Sequence, residues 1–268
     1  MFKRIFYPTD LSERSGRDLK WVATNLSDPS GEMVVAHRVG VSVGTDVPEL
    51  VSQIQIALDE FCEANIPPET AYKAFVEAGS YGEVLPSIAQ REGCSIAVVA
   101  TSPRSSVLPI VQSLAIPQLI LRWEAPPVIP GNLLNSVVVA TNLEQERSNQ
   151  VIMALRDLLE KNNRKPPITL IHGVPMADPS SAHLLFNQAS EAMEMARQEV
   201  ESWNGEAHSK LVGGQTEEEL PKLVRELNTS LLVIGLPIKT DIWQLILGNT
   251  AEALVDRTAC PVLVIPTS

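Results

Sequence analysis

The sequence predicts an α/β protein made of two similar domains, each an open sheet of five parallel strands flanked by helices. Three observations support this prediction: the chain length, an internal repeat, and the alternation of apolar runs with helical segments. The 268 residues exceed the usual domain size of about 100 to 200 residues. We expect domains at residues 1–131 and 132–268, because Pro126, Pro127, Pro130 and Gly131 mark a linker.

The internal repeat is visible in four pairs of segments. "EVLPSIAQREGCSIAVVA" in the first half matches "EELPKLVRELNTSLLVIG" in the second at an offset of 135 residues. At nearly the same offset "FYPTDLSERS" meets "VVATNLEQERS", and "VVAHRVG" meets "TLIHGVP". These matches pair Thr9 with Thr141, Asp10 with Asn142 and His37 with His172. "PPVIP" at 126–130 also matches "PVLVIP" at 261–266, so both are predicted to be the last strands of duplicated units.

Apolar runs and helical segments alternate within each half. In the second half the predicted strands are 136–140, 169–174, 208–212, 231–235 and 262–265. The predicted helices between them cover 148–163, 180–203, 217–227 and 249–257, where apolar residues recur every three or four positions. Such alternation gives right-handed crossovers and a parallel sheet covered on both faces. A ligand is then expected beyond the carboxyl ends of the strands.

Composition excludes several classes of function. The net charge of −11 and pI of about 4.9 disfavour nucleic acid, whose phosphates attract basic proteins. No apolar run approaches the ~20 residues of a membrane span, so we expect a cytoplasmic protein without membrane insertion. Cys62, Cys94 and Cys260 form no CxxC pair and are interpreted as core residues.

Three features together resemble the universal stress protein family. They are the repeated "PTDLSERS" segment, the histidine closing each second strand, and "LLVIGLPIKTDIWQLILGNTAEALVDRTACPVLVIP". The resemblance covers essentially the whole chain, as a tandem protein of the adenine nucleotide α-hydrolase-like class. It implies that the two domains pack as an intramolecular pseudo-dimer, with their last strands antiparallel. It also implies a glycine-bearing loop after the fourth strand, through which some family members bind ATP.

The second half keeps part of that loop. Gly235 and Gly248 occupy two of the three glycine positions of the family motif, and Asn249 and Thr250 follow. Ile238 occupies the remaining position, where a β-branched side chain hinders the approach of backbone N–H groups to a phosphate. The helix predicted to start near Asn249 still offers N–H groups and a dipole that favour an anion.

The two halves have lost different parts of the family's site. The resemblance predicts an acidic residue at the end of the first strand, which is Asp10 in the first half and Asn142 in the second. The first half in turn has Ala100, Pro103 and Ser113 at the three glycine positions. Any nucleotide site is therefore expected in the second half. The candidate binding residues are Asn142, Gly235, Ile238, Gly248, Asn249, Thr250 and Asp10.

Simpler structural roles compete with these assignments. Asp10 also fits a local turn and the negative charge favoured before a helix, and His37 and His172 fit structural positions at the rim of a site. No motif places a serine or cysteine nucleophile beside either histidine, and no HxxxH or HExxH spacing predicts a metal site. We therefore expect no catalytic residues and no metal ligands.

Two functions follow from these observations. The leading prediction is a non-catalytic stress-response or regulatory protein of the universal stress protein type, acting through an unidentified protein partner as a monomer or homodimer. The alternative is an adenine-nucleotide sensor or very slow ATPase that binds ATP or AMP, with magnesium, in the second domain. A metabolic enzyme of the related α/β class is disfavoured, because the chain has no flavin signature and no SGGxDS loop.

Overall fold

The computed structural model describes residues 2–40, 46–101, 107–122, 133–176, 179–237 and 249–267. The chain divides into two compact units, Met1–Ile129 and Pro130–Ser268. The boundary expected between residues 131 and 132 lies outside the described residues. No helix in the described ranges is long and apolar enough to cross a membrane.

The described part of the first unit alternates strands and helices. Its elements are β1 (Phe2–Pro8), α1 (Glu13–Asn25), β2 (Ser27–Val39), α2 (Val47–Asn65), β3 (Ala71–Ala78), α3 (Tyr81–Arg91), β4 (Ile96–Thr101), α4 (Leu108–Ser113) and β5 (Gln118–Arg122). The strands lie in the order β3-β2-β1-β4-β5, and all neighbouring pairs are parallel. The chain thus winds outward in both directions from the point between β1 and β4.

The second unit repeats this pattern. Its elements are β6 (Val137–Ala140), α5 (Gln145–Lys161), β7 (Ile168–Pro175), α6 (Pro179–Asn204), β8 (Ala207–Gly214), α7 (Thr216–Glu226), β9 (Leu231–Pro237), α8 (Asn249–Arg257) and β10 (Val262–Thr267). The strand order is β8-β7-β6-β9-β10, again all parallel. The predicted α/β fold, with two tandem five-stranded sheets, is confirmed.

Burial explains why the apolar runs form central strands. Val137, Val138 and Val139 of β6 are fully buried, as is the run Leu231–Ile234 of β9. Successive strand residues point to opposite faces, so a continuous apolar run requires cover on both sides of the sheet. Helix α5 supplies such cover with four buried apolar residues: Val151, Ile152, Leu155 and Leu159. Continuous apolar runs in the strands and apolar residues at a period of 3.6 in the helices therefore specify one layered arrangement.

The last strand of the first unit differs from the prediction. "PPVIP" at 126–130 was predicted as this strand, but it lies outside the described residues, and β5 occupies Gln118–Arg122 instead. The carbonyl of Pro117 accepts from the N–H of Ala97 at 2.9 Å, as the carbonyl of Pro261 accepts from Leu232 at 3.0 Å. The prediction was wrong because it kept a constant offset, whereas the first unit is shorter before its last strand.

The cysteines behave as core residues. Cys62 and Cys94 are buried, Cys260 is partly buried, and none forms a disulfide. Desolvation raises the thiol pKa of Cys94 and of Cys260 to about 11. Because the thiolate is the reactive form, these thiols are poorly reactive at neutral pH.

Candidate functional site

The same turn follows the first strand of each unit. Leu11 and Leu143 adopt left-handed backbone angles, with φ of 62° and 63°. Each leucine N–H donates to the hydroxyl of the threonine two residues earlier, Thr9 or Thr141, at 3.0 Å. Each threonine hydroxyl also bonds to a serine on the following helix, at 2.8 Å to Ser15 and 2.7 Å to Ser148. The turn therefore fixes the direction in which α1 and α5 leave their sheets.

Asp10 and Asn142 lie within this turn and use their side chains locally. The carboxylate of Asp10 accepts from the N–H of Ser12, and the amide oxygen of Asn142 accepts from Glu144, both at 3.0 Å. This geometry agrees with the simpler interpretation of Asp10 as a turn residue. Asn142 differs because its amide nitrogen has another contact, donating to the carboxylate of Glu144 at 3.2 Å.

The two equivalent histidines support the same turns. Nδ1 of His37 lies 2.9 Å from the carbonyl oxygen of Thr9, and Nδ1 of His172 lies 2.7 Å from that of Thr141. A carbonyl oxygen only accepts hydrogen bonds, so Nδ1 carries the proton in each ring. These contacts tie the second strand of each unit to the turn after its first strand. They agree with the structural role predicted for both histidines.

A cavity of about 320 Å³ lies at the carboxyl ends of β6, β7 and β9 in the second unit. This is the switch point of the sheet, where α/β proteins of this topology place their ligands. Apolar residues of strands and helices form its walls, among them Val139, Leu170, Leu220 and Ile234. Its polar lining residues are Thr141, Asn142, Arg147, Ser148, His172, Thr216 and Thr250.

The charge of this cavity favours an anion. Arg147 is the cationic side chain of the described lining, which contains neither aspartate nor glutamate. Helix α7 begins at Thr216 and helix α8 at Asn249, and the hydroxyls of Thr216 and Thr250 lie 2.6 Å apart. Two helix amino termini, each carrying a partial positive charge, therefore meet at the cavity.

Gly235 lines the cavity, and its lack of a side chain also allows helix α5 to pack closely against strand β9. A Cβ atom at position 235 would lie 2.6 Å from Cγ2 of Val151 and 3.2 Å from Cγ2 of Thr267. Gly173 is similar, since a Cβ there would lie 2.5 Å from Cγ2 of Thr216. Both glycines thus allow helices α5 and α7 to approach the sheet closely, which narrows the base of the cavity.

The predicted site residues divide into three groups. Asn142, Gly235 and Thr250 line the cavity of the second unit, and Asn249 is the first residue of the helix beside it. Asp10 belongs to the other unit, in the turn equivalent to that of Asn142. Ile238 and Gly248 lie outside the described residues.

One assignment in the first unit is wrong. Ser113 was aligned with Gly248, which directly precedes helix α8, but Ser113 is the last residue of helix α4. Its hydroxyl donates to the carbonyl of Ile110 at 2.7 Å, as a residue inside a helix can. Residues 102–107 separate strand from helix in the first unit and 238–248 in the second, six residues against eleven. The first unit therefore has too short a segment to align with the family's loop.

Sequence reasoning missed Arg147 and Thr216. Arg147 lies one residue before Ser148, and Arg14 lies one residue before Ser15. The repeated "ERS" therefore could have indicated that Arg147 lies beside the turn. In the first unit Nη2 of Arg14 donates to the carbonyl of Thr101 at 3.2 Å, and its Nε lies 3.7 Å from Asp18. Thr216 carries no sequence signal of this kind.

The open parallel sheet with a cavity at its switch point defines the second unit as a doubly wound α/β domain. The family follows from sequence: residues 134–266 match the model of the universal stress protein family. Through this second half, the chain belongs to the universal stress protein family.

Individual relatives agree with that assignment. The chain is 28% identical over 148 residues to universal stress protein E of Photorhabdus laumondii, across 48% of this chain and 46% of the relative. It is 27% identical over 84 residues to a universal stress protein of Methanocaldococcus jannaschii, across 31% and 49%. The chain therefore spans about half the length of the curated relatives it matches.

A solved structure extends the similarity of fold to the whole chain. The crystal structure of a universal stress protein from Archaeoglobus fulgidus aligns with 99% of this chain and 96% of its own. The TM-score is 0.66 and the sequence identity 17%. The tandem arrangement of two α/β halves is thus shared with that protein.

Proposed function

We propose that this protein is a non-catalytic regulatory protein of the universal stress protein type whose second unit binds an adenine nucleotide. The observation that carries the proposal is the cavity at the carboxyl ends of β6, β7 and β9. It combines apolar walls with a polar rim that contains Arg147 and two helix amino termini, which is the combination that suits a flat base joined to a sugar and phosphate. Its volume of about 320 Å³ falls at the lower end of the usual range for small-ligand sites.

The residues around the cavity suit the parts of such a ligand. The apolar walls suit the base, and the amide of Asn142 offers a donor and an acceptor for the sugar or base edge. Arg147 and the amino termini of α7 and α8 suit the phosphate. Bound magnesium would be held by the ligand's phosphates and water, since the described lining offers no carboxylate.

The hydrogen bonding supports a non-catalytic role. Among the described lining residues, the hydroxyls of Ser148 and Thr141 bond to each other, as do those of Thr216 and Thr250. A hydroxyl nucleophile requires an adjacent base to accept its proton, whereas each of these is paired with another hydroxyl. We therefore propose that nucleotide binding regulates the protein, in the cytoplasm, and that its output is contact with a protein partner.

A paired substitution tests the location of the site. Asn142→Ala and Asp10→Ala remove the equivalent turn acceptor from the second and the first unit. Asn142→Ala also removes the donor to the carboxylate of Glu144. We expect Asn142→Ala to weaken AMP binding about tenfold, the cost of one good hydrogen bond. Asp10→Ala should leave the affinity unchanged. Equilibrium dialysis with radiolabelled AMP and ATP measures both.

Two results would count against the proposal. Equal weakening by the two substitutions would mean that the turns act only through stability, and no AMP or ATP binding by the unchanged protein would remove the nucleotide altogether. The pairing of the two units remains a prediction of the family resemblance. Small-angle scattering tests it, because two separate domains and one compact particle give different distance distributions.

A further inference from the structure

Arg14 and Arg147 occupy equivalent positions of the duplicated unit. The threonine–serine hydrogen bonds align Ser15 with Ser148, an offset of 133 residues. At that offset Arg14 corresponds to Arg147, and Asp18 corresponds to Val151. Asp18 lies one helical turn after Arg14, as Val151 lies one turn after Arg147. The two arginines have similar side-chain exposure, 28% and 27%. The duplication thus provides an internal comparison for one arginine in two environments.

In the first unit a buried acid lies beside the arginine. Asp18 is only 1% exposed, and its carboxylate lies 3.7 Å from Nε of Arg14. The guanidinium is held further by the carbonyl of Thr101 at the end of β4. The charge of Arg14 is therefore compensated from within the protein.

In the second unit the corresponding acid is missing. Val151 stands where the first unit has Asp18, so no carboxylate lies one turn further along the helix from Arg147. Nε of Arg147, like Nε of Arg14, is buried without a hydrogen-bond partner among the described residues. Nη1 of Arg147 donates to the carboxylate of Glu144 at 2.9 Å, but that carboxylate is 52% exposed. An exposed ion pair of this kind contributes little and is readily exchanged. The cavity side of the guanidinium is thus available to an anion.

We infer that Arg147 recognises the phosphate of the ligand and is released from Glu144 when the phosphate binds; this inference rests on the proposed nucleotide site. Glu144 also accepts from the amide of Asn142 at 3.2 Å, so one carboxylate occupies both polar groups in the free protein. The ligand's phosphate replaces it at Arg147, and the ligand's sugar or base replaces it at Asn142. Glu144 is therefore an internal competitor that lowers affinity for every anionic ligand.

A series of ligands that differ in charge tests this inference. Adenosine, AMP, ADP and ATP are titrated into the full chain by isothermal calorimetry. The unchanged protein should prefer AMP to adenosine by about ten- to a hundredfold, because a charge-assisted hydrogen bond is stronger than a neutral one. Arg147→Gln should remove that preference while keeping the affinity for adenosine. Glu144→Gln should strengthen AMP binding about threefold, in the range of an exposed ion pair.

Val151 offers the sharpest control. Val151→Asp recreates the first unit's acid beside Arg147, and should abolish the preference for AMP over adenosine. Val151→Asn has nearly the same shape without the charge and should keep that preference. Thermal unfolding of each variant checks that the fold survives. If Val151→Asp and Val151→Asn behave alike, charge compensation is not the cause and the inference is overturned.

The outcomes separate this inference from the proposed function. Adenosine and AMP binding with equal affinity would overturn the role of Arg147 and leave the nucleotide site in place. Equal loss of both ligands in Arg147→Gln would make Arg147 a structural residue instead. Another result is that no nucleoside binds, but inorganic phosphate raises the melting temperature of the unchanged protein and not that of Arg147→Gln. This result would overturn the proposed nucleotide binding and support an anion site at Arg147. If phosphate also has no effect, both are overturned.

Discussion

The first and second units share a turn and differ in the space beside it. Thr9 and Thr141 hold matching left-handed turns, and each bonds to a serine and to a histidine at nearly the same distances. Next to these turns the first unit has Ala100, Asp18 and a six-residue connection, whereas the second has Gly235, Val151 and an eleven-residue connection. The groups that orient the first helix have been kept in both copies, while the groups around the cavity have diverged. The residues around the cavity of the second unit therefore differ from their counterparts in the first unit more than the residues of the turns do.

The substitution Asp18→Val tests how much the buried acid stabilises the first unit. Asp18→Val gives the first unit the residue of the second and removes the acid beside Arg14, which keeps its hydrogen bond to the carbonyl of Thr101. Removing one partner of a buried ion pair is costly, and the partial exposure of Arg14 reduces that cost to about 2 kcal/mol. Hydrogen exchange in α1 and β4 should accelerate, while exchange in α5 and β9 stays unchanged. Asp18→Asn, which keeps the shape, should cost less. Unchanged exchange in α1 would show that Asp18 contributes nothing to the first unit.

A second substitution tests why the second unit has a glycine. Gly235→Ala introduces the residue found at Ala100, and its Cβ would lie 2.6 Å from Val151. Overpacking of this kind costs about 1 to 2 kcal/mol. Val151→Ala in the same chain should restore much of that loss, which a double-mutant cycle by urea unfolding measures. The matched change Ala100→Gly should cost less than about 1 kcal/mol. Additive effects at positions 235 and 151 would contradict the packing explanation.

Two serine substitutions test whether the turns of the two units are equivalent. Ser15→Ala and Ser148→Ala each remove a hydroxyl that bonds to a turn threonine, and each should cost about 1 kcal/mol. Ser15→Ala should cost slightly more, since the Ser15 hydroxyl also lies 3.3 Å from the hydroxyl of buried Tyr7. Thermal unfolding by calorimetry, with each unit followed by hydrogen exchange, measures both. A difference of several kcal/mol between them would mean that the turns are not equivalent.

The fold was predictable because its signals are local and repeated. Runs such as Leu231–Ile234 are apolar throughout, the helices have period 3.6, and each pattern occurs twice. The last strand of the first unit was misplaced at 126–130, since Gln118–Arg122 ends in a charged residue and a shortened connection shifts it. A deletion between two elements leaves no trace in a comparison at constant offset.

The site was predictable only in part. Gly235 and Thr250 were found through the loop motif, and Asn142 through the acidic position that the family resemblance predicts after the first strand. The structure brings all three to one cavity. The motif concerns the backbone of a loop, so it says nothing about Arg147 on helix α5. The significance of Arg147 depends on the absence of an acid one turn away, at Val151, and on the bond to Glu144. Such a relation requires the aligned helices, which only the structure supplied.

Native mass spectrometry of the full chain with increasing AMP distinguishes one nucleotide site from two or none, because it counts bound ligands. We expect one AMP for each chain, bound about ten- to a hundredfold more weakly by Val151→Asp and with unchanged affinity by Asp10→Ala. Two molecules of AMP for each chain, or none at concentrations up to the millimolar range, would contradict the claim that the two copies have diverged into one ligand-binding unit and one that does not bind.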